Sequence, residues 1–417
     1  MRSDTKLLIF IGDGMGGRPM AGPETETTIE AANTPAMDRI AREGVCGMLD
    51  PIAPGRPAGS DTSHMAILGY EPEKHYRGRG PFEAKGVGID VKPGDVAFRC
   101  NFATVEGKKV VDRRAGRIKS GTEQLAEAIS REIPRIGDVQ IIFEPSVEHR
   151  AALVLRGQGL SHEISEVDPH DPDVDYLESH ALENAHDVAG ANKTARVINE
   201  FVKRAHEVLE DHPVNVQRRA QGLPPANIVL PRGAGTAVDL EPFEQRYGLN
   251  GALIVEVDLV RGVGNYLKMD VIHVDGATGG QDTDELAIAR AVVEAFETHD
   301  FVLANIKCPD LGGHDGNCQM KIAAIEKVDR AIGYVLDNLD WDHTTIMITA
   351  DHCTPCSLMD HSGDAVPVAF LGYGTRPDDV ERYGERPCAK GSMGHLRGME
   401  IMDIMLNFAA RAEKFGA

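Results

Sequence analysis

Residues 349–364 read TADHCTPCSLMDHSGD, which packs two histidines, each preceded by an aspartate, and a Cys-x-x-Cys pair into sixteen positions. Asp351 and His352 end the apolar, β-branched run TTIMIT, and His361 follows nine residues later, ahead of VPVAFLG. Upstream, DLGGHDG sets Asp310 and His314 four residues apart on a predicted loop just after FVLANIK. Gly312 and Gly313 let that loop fold so that both side chains reach one ion. A mixed carboxylate and imidazole shell suits Zn²⁺ or Mn²⁺ better than Ca²⁺, which prefers oxygen alone. Near the start, KLLIFIGDGMGG delivers Asp13 at the end of another strand-length apolar run. Any one fragment reads as well as a loop histidine or a surface carboxylate. Together they predict a two-metal site, in which two ions clamp the attacking and leaving oxygens of a phosphoryl group.

Ser60, in PAGSDTSHMAILGY, completes that chemistry. A serine hydroxyl is a poor nucleophile until a base or metal activates it, and an ion held by Asp351 and His352 would do so. The same serine reads equally as a helix N-cap, and a nucleophile at a helix start gains backbone N–H groups for phosphate oxygens. Cys353 and Cys356 suggest zinc or redox chemistry, but a closed zinc site needs two further ligands and no second such pair occurs. Their position after the candidate ligands, around Pro355, marks them as packing residues.

The elements that carry these residues alternate. Strand-like runs separated by helical patterns from 227 onward predict an α/β fold, a mostly parallel sheet flanked by helices, whose strand ends hold the ligands. Between them, residues 95–225 break the alternation with DVAFRCNFATV, VQIIFEP and RAALVLRG, and with helical patterns near 122–132 and 191–210. This stretch predicts an inserted α+β domain, leaving 1–94 and 226–417 as a discontinuous catalytic domain. Its acidic segment EVDPHDPDVDYLESHALENAHD reads as a solvated loop, with Asp168 and His170 as exceptions.

With 65 Asp and Glu against 44 Lys and Arg, the net charge of −21 disfavours nucleic acid or an anionic membrane as partner. The apolar N-terminal run breaks at Gly12, too short for a signal or spanning segment. Seven scattered cysteines predict reduced thiols and a cytoplasmic chain. No interface signature predicts an oligomeric state.

The order Asp13, Ser60, Asp310-x-x-x-His314, Asp351-His352, His361 resembles the signature of the alkaline phosphatase superfamily. More narrowly, GDGMG, TPAMDRIAREG, GRGPFEAKGVGIDVKPGDVAFRCNFATV, DRRAGRI, LPRGAG, DGATGG, GHDG, TADH and DHSGDAVP resemble the archaeal-type cofactor-independent phosphoglycerate mutases over nearly the whole chain. The resemblance implies interconversion of 2- and 3-phosphoglycerate through a phosphoserine on Ser60, with no 2,3-bisphosphoglycerate. It implies one ion on Asp310, His314 and His361, and another on Asp13, Ser60, Asp351 and His352. Mn²⁺ leads the candidates, with Zn²⁺, Co²⁺ and Mg²⁺ also fitting.

The insertion becomes a lid that retains glycerate and excludes water. Because a guanidinium fork binds two oxygens at once, Arg99, Arg113, Arg117, Arg150 and Arg232 become candidate substrate contacts, with Asp168, His170 or His149 as proton carriers for the hydroxyls. Two departures stand out: Gly17 where the family commonly has Asp, and Ala58 before the nucleophile. Competing readings are a metal-dependent phosphatase, a phosphonate hydrolase or another phosphomutase on the same scaffold, and a non-catalytic metal-binding protein.

Overall fold

The computed structural model describes residues 4–414 and 416, so Met1–Ser3 of the N-terminal run lie outside it. The chain forms two compact units, one from Met1–His75 with Leu240–Ala417, the other Tyr76–Asp239.

The first unit is built on an eight-stranded sheet. Its strands are β1 (Lys6–Gly12), β2 (Val45–Asp50), β3 (Gly251–Ile254), β4 (Asp270–Val271), β5 (Phe301–Ile306), β6 (Thr344–Thr349), β7 (Val366–Leu371) and β8 (His395–Arg397), in the order β4-β3-β5-β1-β6-β7-β2-β8. Leu7 through Ile11 of β1 are wholly buried, as expected for a central strand covered on both faces. Each such side chain contributes roughly 1.5–3 kcal/mol of burial free energy.

Registry then does the positioning. β1 runs parallel to β5 and β6, with Gly12 opposite Ile306 and Ile11 opposite Thr349. The carboxyl ends of three adjacent strands are therefore level, and Asp13, the Lys307–Asp310 segment and Asp351–His352 leave the sheet side by side. The sheet is mixed, because β7 runs antiparallel to both β6 and β2.

The second unit centres on the strand Val96–Glu106, which pairs antiparallel with Arg150–Arg156 and with Ile228–Thr236. Helices Thr122–Glu132 and Val188–Glu210 contribute to its apolar core, where Phe143 packs on Phe102 and Phe201. This unit extends beyond the predicted 95–225 at both ends. The helix Gly80–Gly86 packs on the central strand, and NIVLPRGAG, read from sequence as the return of the parallel series, completes this antiparallel sheet. An apolar run marks a strand but does not name its partner.

All seven cysteines are free. Among the described residues no helix is long and apolar enough to cross a membrane.

Candidate metal centre and anion cluster

Asp310 and His314 lie on the helix α2 (Cys308–His314), not on the predicted loop, so their four-residue spacing puts them on one face. His361 joins them from the connection between β6 and β7, and one donor atom from each of the three lies within 4.8 Å of the others. His314 Nδ1 donates to the Met359 carbonyl at 2.9 Å and His361 Nδ1 to the Ala58 carbonyl at 2.7 Å. Each ring thus turns an Nε2 lone pair toward the other, 3.2 Å apart. Backbone partners that fix the ring in this way are typical support for a metal-ligating histidine. Since only the Ala58 carbonyl is used, the side chain at 58 does not enter this contact.

Asp13, Asp310 and His352 form a second group within the same 4.8 Å limit, so Asp310 belongs to both. The resemblance had implied Asp351 and Ser60 beside Asp13 and His352. Asp351 Oδ1 accepts the Gly14 N–H at 2.9 Å, while its buried Oδ2 has no hydrogen-bond partner and lies 3.3 Å from His352 Nε2. Ser60 opens the helix α1 (Ser60–Ile67), but Gly59 is the N-cap residue; Ser60 Oγ instead sits 3.3 Å from His352 Nε2.

Several side chains that sequence reasoning passed over organise these groups. Thr354 Oγ1 donates to Asp310 Oδ1 at 2.7 Å, which leaves its lone pairs to accept His352 Nδ1–H at 3.1 Å and turns His352 Nε2 into the site. Lys307 Nζ bridges Asp13 at 2.6 Å and Asp310 at 2.7 Å. Beneath it, buried Glu256 accepts the Lys307 and Gly279 N–H groups. Asn305 Nδ2 donates to Asp13 Oδ2 at 3.1 Å. The only sequence signal for Lys307 was its place three residues before Asp310.

The electrostatics favour cations. Burial and then the Asp351 charge push the Asp13 pKa up. Burial works the same way on Asp310, yet Lys307 and then the neighbouring imidazoles, His361 first, hold it well below the usual carboxylate range. Burial and then His361 push His352 well below the ordinary histidine value, which keeps it a neutral ligand. Three carboxylates gather around one ammonium here, and with an orphaned Asp351 oxygen and facing imidazole lone pairs the pocket fits divalent ions. Cys353 is fully buried, and neither Cys353 nor Cys356 joins a ligand group among the described residues.

The second unit gathers most of the remaining candidates. Arg79 and Arg99 share Glu83 at 3.3 and 3.5 Å, and Arg150 and Arg232 add their charges to Arg99. Burial, then Arg79, pull the Arg99 pKa well down. Arg113 grips Asp168 with two hydrogen bonds of 2.8 and 2.7 Å, and Arg232 lies 3.6 Å from the same carboxylate. His170 Nδ1 is 3.4 Å from both guanidinium groups, and its Nε2 bonds Glu166. His149 is buried; burial and then Arg150 push its pKa down to about 2. Arg117 is exposed and enters this group through its charge on His149. The Nε atoms of Arg99 and Arg150 are buried without hydrogen-bond partners, so the cluster has donors and positive charge to offer an anion. Arg79 and Glu83 were not foreseen, since nothing in GRGPFE marks them as facing a strand 13 or more residues away.

A family profile described as 2,3-bisphosphoglycerate-independent phosphoglycerate mutase matches residues 41–215. The chain is 49% identical over 415 residues to the 2,3-bisphosphoglycerate-independent phosphoglycerate mutase 1 of Methanothermobacter thermautotrophicus, covering 99% of this chain and 100% of that one. It is 45% identical to the corresponding Methanopyrus kandleri enzyme, over 99% of both. Among solved structures, a Pyrococcus horikoshii protein superposes with a TM-score of 0.85 at 38% identity, covering 100% of both chains. The cofactor-independent phosphoglycerate mutase of Thermoplasma acidophilum gives 0.66 at 35% identity, covering 97% of this chain and 100% of that one.

Proposed function

The chain belongs to the 2,3-bisphosphoglycerate-independent phosphoglycerate mutase family, and from that premise we infer that it interconverts 2-phosphoglycerate and 3-phosphoglycerate through a phosphoserine at a two-metal site. The observation that carries the reading is the pair of ligand groups sharing Asp310 beside the Ser60 hydroxyl.

Ser60 is the nucleophile. Its Oγ–P bond forms as the P–O bond to one glycerate hydroxyl breaks, and that hydroxyl oxygen takes up a proton. Glycerate turns over, its other hydroxyl gives up its proton as it bonds to phosphorus, the Oγ–P bond breaks, and Ser60 Oγ regains the proton it lost in the first transfer. Divalent ions bound there would neutralise charge on the phosphoryl oxygens and lower the Ser60 pKa. Asp310, His314 and His361 would hold one ion, and Asp13, Asp351, His352 and Ser60 the other. Mn²⁺ is the metal we assign. Lys307 holds Asp310 ionised and bridges it to Asp13, offsetting part of the burial that raises the Asp13 pKa. In the second unit, Arg99, Arg150 and Arg232 bind the anionic groups of phosphoglycerate, and Arg113 orients Asp168, with His170 beside it, for proton transfer to the hydroxyls. The seven free thiols support a cytoplasmic location.

The test is a coupled assay on 3-phosphoglycerate without 2,3-bisphosphoglycerate, after EDTA treatment and again after Mn²⁺ addition. The expected result is loss and then recovery of 2-phosphoglycerate formation, with little free phosphate. Steady phosphate release at the rate of isomerisation would make the protein a phosphatase.

His149 gives a second expectation. Burial and then Arg150 push its pKa down to about 2, and its buried Nδ1 has no hydrogen-bond partner, so we assign it to orienting substrate as a neutral ring. His149→Gln is expected to lower kcat/KM about tenfold or more while leaving the acid limb of the pH profile in place. A displaced limb would assign that limb to His149.

A further inference from the structure

Lys321 is fully buried on the helix α3 (Cys318–Asn338), and among the described residues no carboxylate pairs with it. A buried ammonium without a counterion is costly, so its surroundings call for a reason. Its Nζ donates to two backbone carbonyls, Gly16 and Thr354, each at 2.8 Å. Gly16 lies three residues after Asp13, and Thr354 two residues after His352. The backbone of Lys321 meets the third ligand segment: a Cβ on Gly312, between Asp310 and His314, would stand 2.7 Å from Lys321 N and Cα. Lys321 thus touches all three segments that leave the sheet toward the metal groups. The effect is relayed through Thr354, whose hydroxyl bonds both Asp310 and His352. Gly17, next in the chain, lies against Nζ, since a Cβ there would stand 3.6 Å from it, in ordinary contact. Its N–H is held by Glu385 at 3.0 Å, which anchors the same loop from the other side.

We propose that Lys321 is a positioning residue for the metal centre, its ammonium clamping the loop after Asp13 to the loop after His352 so that the donor atoms converge. Ligand-supporting contacts of this kind are worth about 10–100-fold in metal affinity. The proposal rests on the two-metal reading above.

The experiment compares wild type with Lys321→Met and Lys321→Gln. Circular dichroism reports folding, titration of the metal-free proteins with Mn²⁺ reports affinity, and kcat and KM are measured at rising Mn²⁺. Folded variants are expected to bind Mn²⁺ about 10–100-fold more weakly. Their kcat should recover with excess Mn²⁺, and KM for 3-phosphoglycerate should stay close to wild type. A merely structural lysine would lower Tm without moving Mn²⁺ affinity, and a folded variant with wild-type affinity overturns the proposal. Loss of folding in both variants also overturns it, by assigning Lys321 to the fold itself. Absence of Mn²⁺ binding in wild type sinks the two-metal reading, and this proposal with it.

Discussion

Ser60→Ala is expected to remove turnover, with kcat falling by roughly four to six orders of magnitude, while metal content stays near wild type. The chemistry has no route around this hydroxyl, since the phosphoryl group must be held on the protein while glycerate turns over. Ser60 is also the first residue of α1 and not its cap, so alanine there keeps the helix start. Its Oγ sits 3.3 Å from His352 Nε2, and the carboxylates and imidazoles around it supply the other ligands, so the ions keep most of their donors without it. Two measurements decide the matter: elemental analysis of the bound metal, and the coupled assay at saturating Mn²⁺. Turnover above about a hundredth of wild type would take Ser60 out of the mechanism. Loss of metal along with turnover would make it chiefly a ligand.

The second large effect falls on Asp310. Asp310→Asn is expected to deplete metal from both positions and to lower kcat by more than the roughly 10–100-fold typical of losing an outer-shell partner, because among the described residues this carboxylate alone is common to both groups. It should also destabilise the metal-free chain. Asp310 is held well below the usual carboxylate range, against burial, by Lys307 and by the neighbouring imidazoles, His361 first. Its ionised form therefore stabilises the fold at neutral pH, and that contribution is lost as pH falls through the depressed folded value. Stripping one partner from a buried ion pair costs roughly 3–5 kcal/mol. Asp13 provides the opposite sign. Its pKa is raised, first by burial and then by Asp351, so its contribution is lost as pH rises through the folded value. Asp13→Asn should consequently leave the Tm of the metal-free protein at neutral pH unchanged or higher, while still abolishing metal-dependent activity. Equal Tm losses in the two variants would contradict this account of Lys307, which bonds both carboxylates.

What the sequence determined by itself is the part of the protein written in local pattern. The apolar runs of β1, β5 and β6 announce buried strands, and a polar residue at the end of each is legible as a ligand because strand ends must leave the core. Asp13, Asp310, Asp351 and His352 became candidates in this way, His314 and His361 through their spacing to them, and Ser60 through its place in a loop that leads into an apolar helical run; the wider run of motifs named the family. Tertiary structure alone decided the rest. It gave Ile228–Thr236 to the antiparallel sheet of the second unit and placed Asp310 and His314 on a helix face. It made Asp310 common to both groups, and it aimed Lys307, Thr354 and Lys321 at residues up to 305 positions away in the chain. A ligand at a strand end betrays itself by breaking a local hydrophobic pattern. A lysine that neutralises or clamps such ligands breaks no pattern, because its role depends on which buried groups the fold brings within about 3 Å of its ammonium.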